Sequence, residues 1–144
     1  MAGIAFAALR ASIGLAVLWL HGWHKVLDGW HYFARGAEWP LLHDTVQLGA
    51  PWPVALAVIA AASQFVGAGL LALGAATRLS AFMVLATMLG AVVFNVQTGG
   101  PDAQLAGLYG LITGVFVLAG GGWWSIDRLA RGRRADRPVP QEWR

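Results

Sequence analysis

Cysteine is absent from this sequence, and charge is scarce. Without a thiol the chain forms no disulfide, binds no metal through thiolate and attacks no substrate through sulfur. Charged residues make up 12% of the 144, against 58% hydrophobic. That balance excludes an ordinary water-soluble domain, because a small fold leaves much of its area exposed and needs charge to cover it. No glycine loop of the phosphate-cradling kind occurs, and the glycines fall in turns and apolar runs. What is plentiful is uncharged chain. Val46 to Thr77, Leu79 to Pro101 and Ala103 to Ile126 carry no charged side chain at all.

A helix needs roughly 20 apolar residues to cross about 30 Å of hydrocarbon. The three uncharged stretches each contain one such span, about 53–74, 79–97 and 103–120. Pro51 and Pro53 open the first, Gly74-Ala-Ala-Thr-Arg78 turns into the next, Thr98-Gly-Gly-Pro-Asp102 separates the last two, and Gly120-Gly-Gly122 closes the series. An N-terminal span of about 4–27 precedes them, interrupted by Arg10 and followed by His21-Gly-Trp-His-Lys25. That flank lacks the small-residue pattern of a cleaved leader, so the span is expected to be retained. Arg10 and Lys25 would stand roughly 22 Å apart along it. This is less than the hydrocarbon thickness, so at least one must snorkel or find a partner in the bundle.

The expected fold is therefore all-α: an integral membrane four-helix bundle over residues 1–127, with a basic tail over 128–144. Arginines in that tail and Arg78 in a short connection put both termini and the 74–78 turn on the cytoplasmic side of a bacterial-type inner membrane. Segment 28–52 then lies outside. A basic tail beside a span fixes topology or meets anionic lipid rather than nucleic acid. Trp19, Trp23, Trp30 and Trp52 read as an outer aromatic belt, and Trp123 and Trp124 as an inner one. Small residues supply the packing seams: Gly107, Gly110 and Gly114 in the fourth span, Ser63 and Gly67 in the second. Such a seam serves internal packing or an oligomer equally well.

Polar side chains inside spans are costly and call for a reason. His21, His24, Lys25, Asp28, His31 and Tyr32 recur at three- and four-residue spacing from the outer end of the first span. Among the polar groups of the other spans, Gln64, Thr87, Asn95, Gln104 and Tyr109, Asn95 and Gln104 should lie level with His21 and Lys25, and Gln64 deeper, nearer the midplane. As single residues they read as interfacial anchors or interhelical hydrogen bonds. Their convergence makes His21, His24, Lys25, Gln64, Asn95, Gln104 and Tyr109 the candidate ligand-binding set. A metal or haem site on the histidines is not expected, since their spacing matches no ligand signature and Lys25 repels a cation. Ser12, Ser63, Ser80 and Ser125 are expected to lie away from the histidines, which excludes a Ser-His-Asp nucleophile.

The order of these residues resembles the DoxX/DoxD family of small four-helix membrane proteins. The resemblance runs over about residues 6–129. It rests on Arg10, on His21-Gly-Trp-His-Lys25, on the stretch from Gln64-Phe-Val-Gly67 to Gly74-Ala-Ala-Thr77-Arg78, and on the close Gly120-Gly-Gly-Trp-Trp-Ser125-Ile-Asp127. It departs where the family carries glutamates, which here are Gln64 and Gln104; glutamine keeps shape and hydrogen bonding but takes up no proton. The resemblance implies a subunit linked to a quinone-dependent oxidoreductase, with quinone as the possible ligand and no covalently bound cofactor. It also implies a protein partner or oligomer, because the chain has no cofactor motif or cysteine with which to carry electrons alone. The other reading is a non-catalytic membrane anchor for a soluble redox enzyme.

Overall fold

A computed structural model describes residues 2–129. Five helices span residues 2–119, a further helical stretch begins at 126, and no strand occurs among the described residues. The first, α1, runs unbroken over Gly3–Arg35. α2 covers Pro40–Gln47, α3 Pro53–Leu73, α4 Thr77–Thr98 and α5 Ala103–Ala119. The tail expected over 128–144 lies almost wholly outside the described residues. Three helices, α1, α3 and α4, are long and apolar enough to cross a bilayer. The 17 residues of α5 rise roughly 26 Å, and they lie along α4 in the most extensive helix–helix contact of the fold. The chain is an all-α membrane protein.

Local chemistry sets the boundaries. Pro40 and Pro53 occupy first-turn positions, where the missing N–H costs nothing. Glycines in the left-handed region end α1, α3 and α4 at Gly36, Gly74 and Gly99. Helix α1 outruns its expected end at residue 27 by two turns, because nothing breaks it before Gly36. At 33 residues it is roughly 50 Å long, so His21 lies mid-helix rather than at the outer end. The 28–52 segment is accordingly not an open connection: it holds the last turns of α1 and the whole of α2.

Two π-helical turns interrupt this regularity, at Leu18–Gly22 in α1 and Ser63–Gly67 in α3. They pack directly on one another. Gly22 makes this possible: a Cβ there would fall 2.8 Å from the Gln64 carbonyl carbon and 3.0 Å from Phe65 Cα. Lower in the same seam, Gly14 lies against the backbone of Ala68 and Ala72. On the other side of the bundle, Gly110 and Gly107 face Met88 and Val92 of α4, whereas Gly114 meets nothing within 4 Å. The expected three-glycine seam of the fourth span is thus a two-glycine one.

At the end holding the N-terminus all four long helices meet. Buried Arg10 donates to the carbonyl oxygens of Gly121 and Trp124 beyond α5, the latter at 2.9 Å. Its guanidinium fills the space a Gly74 side chain would need, 2.5 Å from that Cβ position. The Asp127 carboxylate accepts from the N–H groups of Ala76 and Thr77, at 2.6 and 2.8 Å, and from the Thr77 hydroxyl at 2.8 Å. Two guanidinium nitrogens of Arg10 thereby find partners inside the bundle, while its buried Nε has none. The residues that carry the family resemblance, Arg10, Gly74, Thr77 and Asp127, build this clasp.

Candidate ligand-binding site in the membrane

The outer half of α3 makes almost no contact with α4, whereas its π turn and inner half pack closely on it. The resulting wedge is a cavity of about 640 Å³. Leu56, Ile59 and Phe82 line it and are 38%, 56% and 57% exposed. The cavity is therefore open at the surface of the bundle, and its apolar lining suits acyl chains or an apolar ligand. Helix α2 roofs its outer end with Leu41, Asp44, Thr45 and Leu48. Trp39 holds the roof in place. Its ring is buried against Gly29, and its indole N–H donates to the Lys25 carbonyl at 3.1 Å.

Four of the seven candidate residues line this cavity: His21, Lys25, Gln64 and Asn95. Their roles differ. Asn95 is committed to the turn between α4 and α5, donating to Ala91 at 2.8 Å and accepting from the Asp102 N–H at 3.3 Å. Thr87, Thr45 and Ser63 spend their hydroxyls on carbonyls nearby. Gln64 does not. It is 2% exposed, and its Oε1 has no hydrogen-bond partner. A buried polar atom left unpaired costs roughly 1–3 kcal/mol, which makes it a departure from the rule that native interiors satisfy such groups. It sits in a π turn, a helical irregularity frequent at functional sites. By helical rise Gln64 lies roughly 16 Å in from Pro53, about halfway along α3.

The other three candidates lie elsewhere. His24 is exposed on the outside of α1. Gln104 is exposed as well, two residues from buried Ala106 and so about 200° around α5 from the packed face. Tyr109 stands behind the cavity, its ring edge-on to His21 at 5.6 Å between centroids.

Three lining groups escaped the sequence. Ser63 was expected away from the histidines, yet it lines the same cavity as His21, because the two π turns bring α3 onto α1 at that level. Its hydroxyl donates to the Ile59 carbonyl at 2.7 Å and is not free to act as a nucleophile. Asp44 and Asp102 stand at the outer rim. Burial pushes the Asp44 carboxyl above the ordinary carboxylate range, and Lys25 and His43 pull it back. The amphipathic pattern of α2 was the available signal for Asp44: a short helix with an apolar face beside a membrane has to cover something.

These features define a class: a small multi-pass helical membrane protein whose largely apolar cavity carries cationic and amide groups inside and carboxylates at its rim. Within that class the chain belongs to the DoxX family, whose family model matches residues 5–98. The match takes in α1 to α4 and leaves out α5 with its closing Gly120 to Asp127. No curated protein and no solved structure gives a significant match.

Proposed function

We propose that this protein is a membrane subunit of a quinone-linked oxidoreductase and that the cavity between α3 and α4 holds the quinone or a similar apolar ring ligand. The observation that carries this reading is the unpartnered Oε1 of Gln64, buried at the inner end of a largely apolar cavity open at the surface of the bundle. The residues present fit such a group. Apolar walls suit the ring and tail, and few polar groups converge at one end, the usual build of a small-molecule site. When bound, a quinone supplies reversible uptake of electrons and protons. Lys25 and His21 would donate to a ring oxygen. Gln64 suits both redox forms, because its amide donates to a carbonyl and accepts from a hydroxyl. Asp44 at the rim is placed to exchange protons with the aqueous side. With no cysteine, electrons would come from a protein partner or from another subunit.

A short-tailed benzoquinone titrated into purified protein tests the site. His21→Ala, Lys25→Met and Gln64→Leu should each weaken binding by about five- to a hundred-fold, the equivalent of roughly 1–3 kcal/mol for a lost hydrogen bond in a desolvated site. His24→Ala and Gln104→Ala, outside the cavity, should bind like the parent. If all five variants bind alike, the cavity is not the site.

The same reading places both termini in the cytoplasm of an inner membrane, which the arginine distribution supports. A cysteine introduced at Ala37 should then react with an impermeant maleimide added outside intact cells. Labelling only after the cells are opened would invert the orientation.

A further inference from the structure

A second cavity, of about 760 Å³, lies at the opposite end of the bundle, where the chain leaves α5 beside the start of α4. Arg78, Leu79, Gly120, Trp123, Asp127 and Arg128 are among the residues that line it. It shares no residue with the cavity between α3 and α4. From these residues we infer a binding site for the phosphate of an anionic phospholipid in the leaflet on the side of the termini.

The charge comes first. Among the described residues three guanidiniums, Arg10, Arg78 and Arg128, gather at this end, with the Asp127 carboxylate beside them. That carboxylate already accepts three hydrogen bonds from Ala76 and Thr77, and the buried Arg10 is turned inward to Gly121 and Trp124. Arg78 and Arg128 are left at the cavity, and both are exposed. Their contacts are exchangeable. Arg78 donates a long 3.4 Å bond to the Leu118 carbonyl, and Arg128 lies 3.5 Å over the face of Trp123. Two guanidiniums converging on one cavity match the geometry of a phosphate, which they can grip with paired N–H groups.

The surroundings select a lipid as the source of that phosphate. Gly120, in the left-handed region at φ 75°, turns the chain beside Arg78, whose Nε lies at contact distance from it. Directly membrane-ward, Leu79 and Leu118 are 62% and 82% exposed, an apolar surface for the first part of an acyl chain. Trp123, 73% exposed, occupies the headgroup level that amphipathic aromatics favour. A soluble anion would use the guanidiniums but would leave Leu79 and Leu118 without a role.

Native mass spectrometry of the full chain, released from detergent containing equal phosphatidylglycerol and phosphatidylcholine of matched chains, tests the site. The parent should retain phosphatidylglycerol preferentially. Arg78→Gln and Arg128→Gln should each lower that retention about five-fold, the usual weight of one cation at an anionic membrane surface. Arg78→Lys should keep most of it, and Arg35→Gln, at the far end of α1, should change nothing. Inorganic phosphate should not displace the lipid. Equal retention of the two lipids by the parent, which requires no variant to fold, overturns the proposal. So does unchanged retention in both glutamine variants. Displacement by inorganic phosphate would make this a soluble-anion site and overturn the lipid assignment.

Discussion

Asp127→Ala should destabilise the bundle by about 3 kcal/mol, the combined loss of several charge-assisted hydrogen bonds at a partly solvated site. The carboxylate caps the start of α4 from a position 50 residues further along the chain. Two of its partners are backbone N–H groups with no helical acceptor of their own. One of them, Ala76, sits at φ 46°, a left-handed conformation that costs a non-glycine residue free energy unless its surroundings hold it there. The 2.6 Å bond to Asp127 is that hold. The same substitution removes the carboxylate whose charge acts on buried Arg10. Asp127→Asn keeps one acceptor oxygen and should recover about half the loss, and Thr77→Val, which deletes the hydroxyl bond alone, should cost about 1 kcal/mol. Reversible unfolding in mixed micelles, followed by circular dichroism, measures all three. An Asp127→Ala protein as stable as the parent would mean that this end is held by apolar packing and that the clasp is incidental.

The second large effect is expected at Gly22. Adding one methyl group, Gly22→Ala, should cost about 1–3 kcal/mol, typical of overpacking against atoms that cannot move aside. Here those atoms are the backbone of Gln64 and Phe65, so relief requires the two π turns to separate. That separation moves Gln64 relative to His21, and quinone affinity should fall along with stability. Gly90→Ala is the matched control. It adds the same methyl group to a helical glycine that lines the same cavity, but nothing lies within 4 Å of the new atom, so stability should hold or rise slightly through helix propensity. If the two alanine variants unfold alike, the contact between the π turns does not carry the seam.

The sequence expected its candidate ligand-binding groups at the outer end of a shorter first helix. The geometry moved them to its middle, and the reason is local: Gly29 does not break α1 but forms a notch for Trp39. Trp39 was one of several tryptophans, and its sequence gave no sign that it would be buried while Trp30 and Trp52 stayed 69% and 81% exposed. His24 and Gln104 were candidates by depth along the membrane. Depth can be counted along a helix, but the direction a side chain faces depends on which side its neighbours occupy. His24 is offset about 100° from Lys25, enough to put it outside. For Asp44 the amphipathic pattern of α2 signalled that the helix covers something but not what, since Asp44 reaches the cavity only because α2 folds back as a roof.

Hydrophobic runs determined by themselves that this chain lives in lipid, that it is all helix, and roughly where its spans begin and end. Transfer free energy depends on local composition alone, and prolines and glycines act on their own backbone. The sequence also contained the clasp residues in recognisable order. Only the tertiary structure decided that Arg10, Gly74, Thr77 and Asp127 meet at one end while His21, Lys25 and Gln64 line a cavity nearer the other. It also decided that Gln64 would be buried without a partner. Hydrogen-bond satisfaction and cavities are relations between helices, fixed here by two π turns whose tight approach depends on a glycine. A π turn adds one residue to a helical turn and leaves no mark in composition or hydrophobic period.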